Sequence, residues 1–257
     1  MTLLIASVFP VVIFLYMIYQ KDHEKEPISL LLKCLFGGCL SILLSLFMSL
    51  PVGILIGEFQ GNFLSSLHKS FLLAAIPEEI AKFVMLYLFV WKSRELNHHY
   101  DGIIYSVFVS LGFALIENIL YVFKGGFGVA FMRAVLAVPG HGFFGVLMGY
   151  YFSLARFHTG EKRKEFLIKS LVIPIIFHGA YDFLLFYMSV SDNVFLAVFL
   201  LIAFAVFVIL LWRRGFAKIK EHLERDCKLL ISEQEARQEQ PWFACVFCLL
   251  HLIFYVL

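Results

Sequence analysis

An all-helical bundle that passes several times through a membrane is the fold the sequence predicts, on three observations. The 257 residues are 61% hydrophobic and only 16% charged, with a mean hydropathy of +0.87, whereas soluble domains run about 45–50% apolar and about 25% charged. Apolar runs recur along the chain, and a run of about 18–20 residues crosses ~30 Å of hydrocarbon at 1.5 Å per residue. The runs also lack the strict alternation of a transmembrane barrel.

The first expected span, 2–19, begins without a basic n-region or an A-x-A pattern, so it reads as retained and not as a cleaved signal. The second is 28–56. The third, 71–91, carries Glu78, Glu79 and Lys82 behind Pro77. Proline suits the first position of a helix, which sets both carboxylates in a first turn where the dipole favours anions. The fourth, 102–123, starts after Asp101 as N-cap and holds Glu117 and Asn118. The fifth, 129–155, holds His141, with Gly142, Gly145 and Gly149 to let neighbours approach. The sixth, 166–189, holds His178 and Asp182, and the seventh is 194–212.

Residues 1–212 thus form one transmembrane domain, with its polar motifs between 70 and 190. Residues 213–240 are polar, with Phe216, Ile219, Leu223 and Leu230 at roughly helical spacing, which predicts a cytoplasmic amphipathic helix on the membrane surface. The segment 241–257 opens with Pro241; its 16-residue apolar run is a candidate eighth span or an interfacial segment.

One set of connections carries Lys21, Lys25, Lys92, Arg94, Arg156, Lys162, Arg163, Lys164, Arg213, Arg214, Lys218 and Lys220, and the opposite set little beyond Lys69 and Lys124. The positive-inside rule makes the first set cytoplasmic and the N-terminus extracytoplasmic in a multi-pass protein of the cell membrane. A net charge of +2, with no basic cluster carrying interleaved aromatics, gives no case for nucleic acid. Five cysteines spread through apolar and polar segments predict no disulfide framework.

The informative residues are the polar ones inside apolar runs. An ionised group at bilayer depth costs about 2.5–3.5 kcal/mol, so Glu78, Glu79, Lys82, Glu117 and Asp182 left unpaired would cost on the order of 10 kcal/mol. With His141 and His178 they all fall in the outer half or near the centre of their expected spans, although the spans alternate in direction. That coincidence predicts one shared site. Glu78 and Lys82 are four residues apart on one helix face, as are His178 and Asp182, where the carboxylate orients the imidazole. Phe113, four before Glu117, supplies an apolar wall, and Asn118 assists in positioning.

Two adjacent carboxylates in a low dielectric do not both ionise cheaply, which prepares Glu78 or Glu79 as general base for a water. The histidines then donate to an oxyanion. In a metal-bearing version His141, His178 and a glutamate, Glu117, hold Zn²⁺; a metal-free glutamate mechanism stands beside it. The other classes open to such residues are a non-catalytic scaffold and an ion-coupled transporter.

At these residues the chain resembles the PrsW family of membrane proteases and, more distantly, the CAAX prenyl endopeptidase and Abi group. The shared pattern is Glu78-Glu79-x-x-Lys82, Phe113-x-x-x-Glu117 and His178-x-x-x-Asp182, with His141 on the span between. CAAX-type enzymes show arginine one place later than Lys82, so the lysine favours the PrsW side. The resemblance implies catalytic roles for Glu78, Glu79, Glu117, His141, His178 and Asp182. It also implies cleavage of a single-span membrane protein, such as an anti-sigma factor, near its extracytoplasmic side.

Overall fold

The computed structural model describes residues 1–22, 24–57 and 59–236; the run 242–257, with Cys245 and Cys248, lies outside them. Among the described residues every regular element is helical: α1 (Thr2–Gln20), α2 (Ile28–Ile56), α3 (Asn62–Leu67), α4 (Ile76–Val90), α5 (His99–Met132), α6 (Val138–Arg156), α7 (Gly160–Ser189) and α8 (Val194–Ala236). Five stretches of the described residues are long and apolar enough to cross a membrane, namely Thr2–Gln20, Ile28–Ile56, His99–Arg156, Gly160–Ser189 and Val194–Ser232. The protein is a multi-pass helical membrane bundle. α1 and α2 turn Phe9, Leu43, Phe47 and Ile54 outward, the placement of lipid-facing side chains.

Two departures from the expected spans position the site. First, the third span is a composite rod: α3 runs through a wide π-helical turn, His68–Ala75, into α4. Second, the fourth and fifth spans are not separated by a loop. They are one helical run that doubles back at Gly126, whose φ of +71° is open at little steric cost only to glycine. A second wide turn, Arg133–Ala137, leads into α6. The fold-back lays α6 antiparallel on α5, so that Gly102 meets Gly149, Ser110 Oγ donates to the His141 carbonyl at 2.7 Å, and Arg133 reaches Asn118.

That hairpin is the buried centre of the bundle: 72% of its most apolar window lies inside, against 11% for α2. Its neighbours come to backbone contact. A Cβ on Gly149 would lie 2.2 Å from the Gly102 carbonyl oxygen, and one on Gly112 would lie 2.1 Å from that of Leu35 in α2. Small residues permit this proximity, and dispersion then holds helices that gain nothing from leaving water.

The site-bearing helices share a further device. Pro77 precedes Glu78, Pro139 lies two residues before His141, and Pro174 lies four before His178. Proline has no N–H and crowds the carbonyl four residues back, so regular α-pairing fails there. The two wide turns end at Ala75 and Ala137, each two residues ahead of its proline.

The polar stretch after residue 212 does not start a separate surface helix but continues α8 without interruption. Its apolar stripe faces the bundle, with Ile219 and Leu223 buried, while Phe216 is exposed. His222 stacks on Tyr150 at 4.3 Å between ring centroids. Asp226 accepts the backbone N–H groups of His99 (2.7 Å) and Tyr100 (2.8 Å) at the start of α5. The N-cap of α5 is His98; Asp101, expected there, sits three residues on, and its Oδ2 accepts the N–H groups of Asn97 and His98. At the same end Tyr105 donates to Glu26, and burial pushes the Asp22 and Glu26 carboxyls up to about 6 and about 7.

Candidate active site

α4 supplies Glu78, Glu79 and Lys82 from its first two turns. Lys82 is wholly buried, and its Nζ lies 2.8 Å from Glu79 Oε1, 3.4 Å from Glu78 Oε2 and 3.3 Å from His141 Nδ1. The ammonium also stands 4.2 Å over the Phe113 ring, so Phe113 walls the lysine. A buried cation is tolerated only when paired and hydrogen-bonded. Here two carboxylates and an imidazole do that.

Glu79, also wholly buried, shares Oε1 between Lys82 and His178 Nδ1, the latter at 2.8 Å. The other nitrogen of His178, Nε2, lies 3.4 Å from Asp182 Oδ2 and 3.9 Å from Glu78 Oε2. Phe144 stacks on this ring at 4.8 Å and fixes its plane. From α6, His141 places Nε2 2.9 Å from Glu117 Oε2. An ammonium can only donate, so His141 Nδ1 accepts from Lys82 and the ring proton sits on Nε2, donated to Glu117.

Arg133, which the sequence reading passed over, completes the arrangement. It donates from Nη2 to Glu117 Oε2 at 2.7 Å and from Nε to Asn118 Oδ1 at 2.8 Å. Asn118 Nδ2 in turn donates to the Ser7 carbonyl in α1 at 2.6 Å. The signal was present, since Arg133 is an arginine inside an apolar run, but four residues past the expected span start it resembled an interfacial residue.

All six expected catalytic positions therefore join one network, with Lys82, Asn118 and Arg133 as its cations and connector. Five of the six, Glu78, Glu117, His141, His178 and Asp182, line a cavity of about 280 Å³ together with Arg133, Tyr181 and apolar side chains such as Leu136 and Phe186. Glu79 and Lys82 stand behind that wall. The compact donor trio is Glu78, His141 and His178, each offering one atom within 4.8 Å of the others. Glu78 thus occupies the place the sequence reading gave to Glu117, which is taken up by Arg133 and His141. Two imidazoles and a carboxylate facing a cavity are a donor set that fits a zinc-type ion.

A multi-pass bundle that gathers carboxylates, imidazoles and a buried lysine around one cavity defines a membrane-embedded hydrolase. The chain belongs to the PrsW family of intramembrane metalloproteases, whose model matches residues 26–211. It is similar to Protease PrsW of Geobacillus kaustophilus, 40% identical over 185 residues, covering 72% of this chain and 80% of that one. It is 36% identical to Protease PrsW of Bacillus subtilis over 217 residues, covering 84% and 93% of the two chains. Protease PrsW of Clostridioides difficile is 32% identical over 245 residues, covering 93% and 98%. No solved structure matches. The protein is an intramembrane protease.

Proposed function

We propose that the protein hydrolyses a peptide bond of a single-span membrane protein, such as an anti-sigma factor, with Glu78 as base for the attacking water. One observation carries the choice between the adjacent glutamates: Glu78 lines the cavity, whereas Glu79 is wholly buried against Lys82 and His178. Glu79 and Lys82 are positioning residues, and Asp182 orients His178. Glu117, held by Arg133, fixes the His141 ring. Glu78 takes a proton from water as the oxygen attacks the carbonyl carbon, and returns it to the leaving amine. In a metal-bearing form Glu78, His141 and His178 would hold the ion once a ring nitrogen of His141 gave up its hydrogen bond to Lys82 or Glu117; Glu78 would then be a ligand and not the base, and the ion would supply a Lewis acid and a more acidic bound water.

The cavity is formed at the end of the bundle that carries the Gly126 turn and the last turns of α7. The lysine- and arginine-rich connections lie at the other end, so the positive-inside rule supports cleavage near the extracytoplasmic face of the cell membrane. The same rule supports an extracytoplasmic N-terminus and a cytoplasmic stretch 213–236.

The test is processing of a tagged single-span substrate in cells expressing Glu78→Gln, Glu79→Gln or His178→Ala at matched protein levels. Glu78→Gln abolishes cleavage on this reading; near-normal processing by that variant removes it. Metal content of purified, active protein then separates the two forms: stoichiometric zinc lost together with activity marks the metal-bearing one.

A further inference from the structure

Tyr181 lies one turn beyond His178 on α7, and its ring forms part of the cavity wall. The residue is 5% exposed, yet among the described residues its hydroxyl has no hydrogen-bond partner. Cε2 and Cζ of the ring lie 3.7 Å from where a Cβ on Gly140 would begin, which sets the phenol end beside the backbone that presents His141. Phe144 and Phe204 hold the ring edge-on, at 5.9 and 4.9 Å between centroids.

A buried hydroxyl left without a partner costs about 1–3 kcal/mol. A phenylalanine would fill the same space without that cost. The charged donors beside the cavity are directed at protein groups: Lys82 at Glu78, Glu79 and His141, Arg133 through Nε and Nη2 at Asn118 and Glu117, and His178 at Glu79 and Asp182, while the other phenol of the lining, Tyr121, is more than half exposed. His141 Nε2 is directed at Glu117. Attack on a peptide carbonyl creates a negative oxygen that requires a donor of its own.

We propose that the Tyr181 hydroxyl is the donor that receives the carbonyl oxygen of the scissile peptide bond as it becomes an oxyanion. The proposal rests on the hydrolysis reading above. As the water oxygen bonds to the carbonyl carbon, its proton passes to Glu78 and the carbonyl π pair moves onto oxygen. Tyr181 hydrogen-bonds to that oxygen and keeps its own proton. When the tetrahedral species collapses, the C–N bond breaks and Glu78 protonates the amine. A neutral phenol suits the task, because it adds no charge to a site whose cations are already matched to carboxylates.

The experiment uses the full-length protein in proteoliposomes and a fluorescently tagged single-span reporter that the wild-type protein cleaves. Tyr181→Phe is expected to lower kcat about 10²–10³-fold, the cost of removing one oxyanion donor, with KM roughly unchanged. Its melting temperature is expected at or above wild type, since no protein hydrogen bond is lost. Retention of kcat within about threefold overturns the proposal. So does a loss of kcat that comes with a lowered melting temperature, because the hydroxyl is then structural. Glu78→Gln serves as the parallel arm: normal cleavage there defeats the base assignment alone, while the Tyr181→Phe result still decides the role of the hydroxyl.

Discussion

At the scale of single residues, the buried lysine governs the site's stability. Lys82, wholly buried, neutralises Glu79 and Glu78. Removing one partner of a buried pair leaves an uncompensated charge and costs about 3–5 kcal/mol. Lys82→Met is therefore expected to lower the denaturation midpoint in detergent sharply, and Lys82→Met with Glu79→Gln to recover part of the loss. An unchanged midpoint in the single variant would refute the pairing. Arg133→Gln, by contrast, releases Glu117 from its shortest ion pair and is expected to reduce cleavage at near-normal yield, with Arg133→Lys intermediate because an ammonium lacks the two-pronged geometry. That the six candidate residues gather in one place was legible in the sequence, because an ionisable group in an apolar run is too costly to leave unpaired. Which of Glu78 and Glu79 faces the cavity was not, since successive residues point about 100° apart on a helix and only tertiary neighbours decide between them.

Elements meet at this site through close backbone approach and interrupted helices. Gly149 rests on the Gly102 carbonyl, so Gly149→Leu has no free space to occupy; it is expected to reduce the yield of folded protein severely and not merely its turnover. Gly126→Ala forces a side chain into a left-handed conformation, at a cost of about 1–2 kcal/mol. Circular dichroism melts of both variants check the order of these effects. The glycines on the fifth span were readable as a close-packing surface from their spacing. The reversal between the fourth and fifth spans was readable as well, from the break at Lys124-Gly125-Gly126; that it is made without a loop, at one left-handed glycine, was not. The tail of α8 was read with the right helical stripe but the wrong partner: periodicity reports that a face is apolar, and cannot distinguish a lipid surface from the ends of α5 and α6.

For the molecule as a whole, the end opposite the cavity sets a pH dependence of stability. The Glu26 carboxyl, ordinarily near 4.5, is raised by burial to about 7, and that of Asp22 to about 6. The folded state thus retains protons in a range where the unfolded chain has released them, so this stability is fully present below about pH 4 and is lost as pH rises through about 7. The detergent melting temperature is expected to fall between pH 5 and pH 8, and Glu26→Gln to flatten the profile. A profile that rises over that window would contradict the assignment. The same end also joins distant parts of the chain, since the amide of His99 finds its acceptor in Asp226, 127 residues later. A ribosome adding about 5–20 residues per second needs roughly 6–25 s to cover that interval. The central hairpin thus emerges well before its opening turn can be secured, and the finished protease cannot lock into place until translation has delivered the far half of α8.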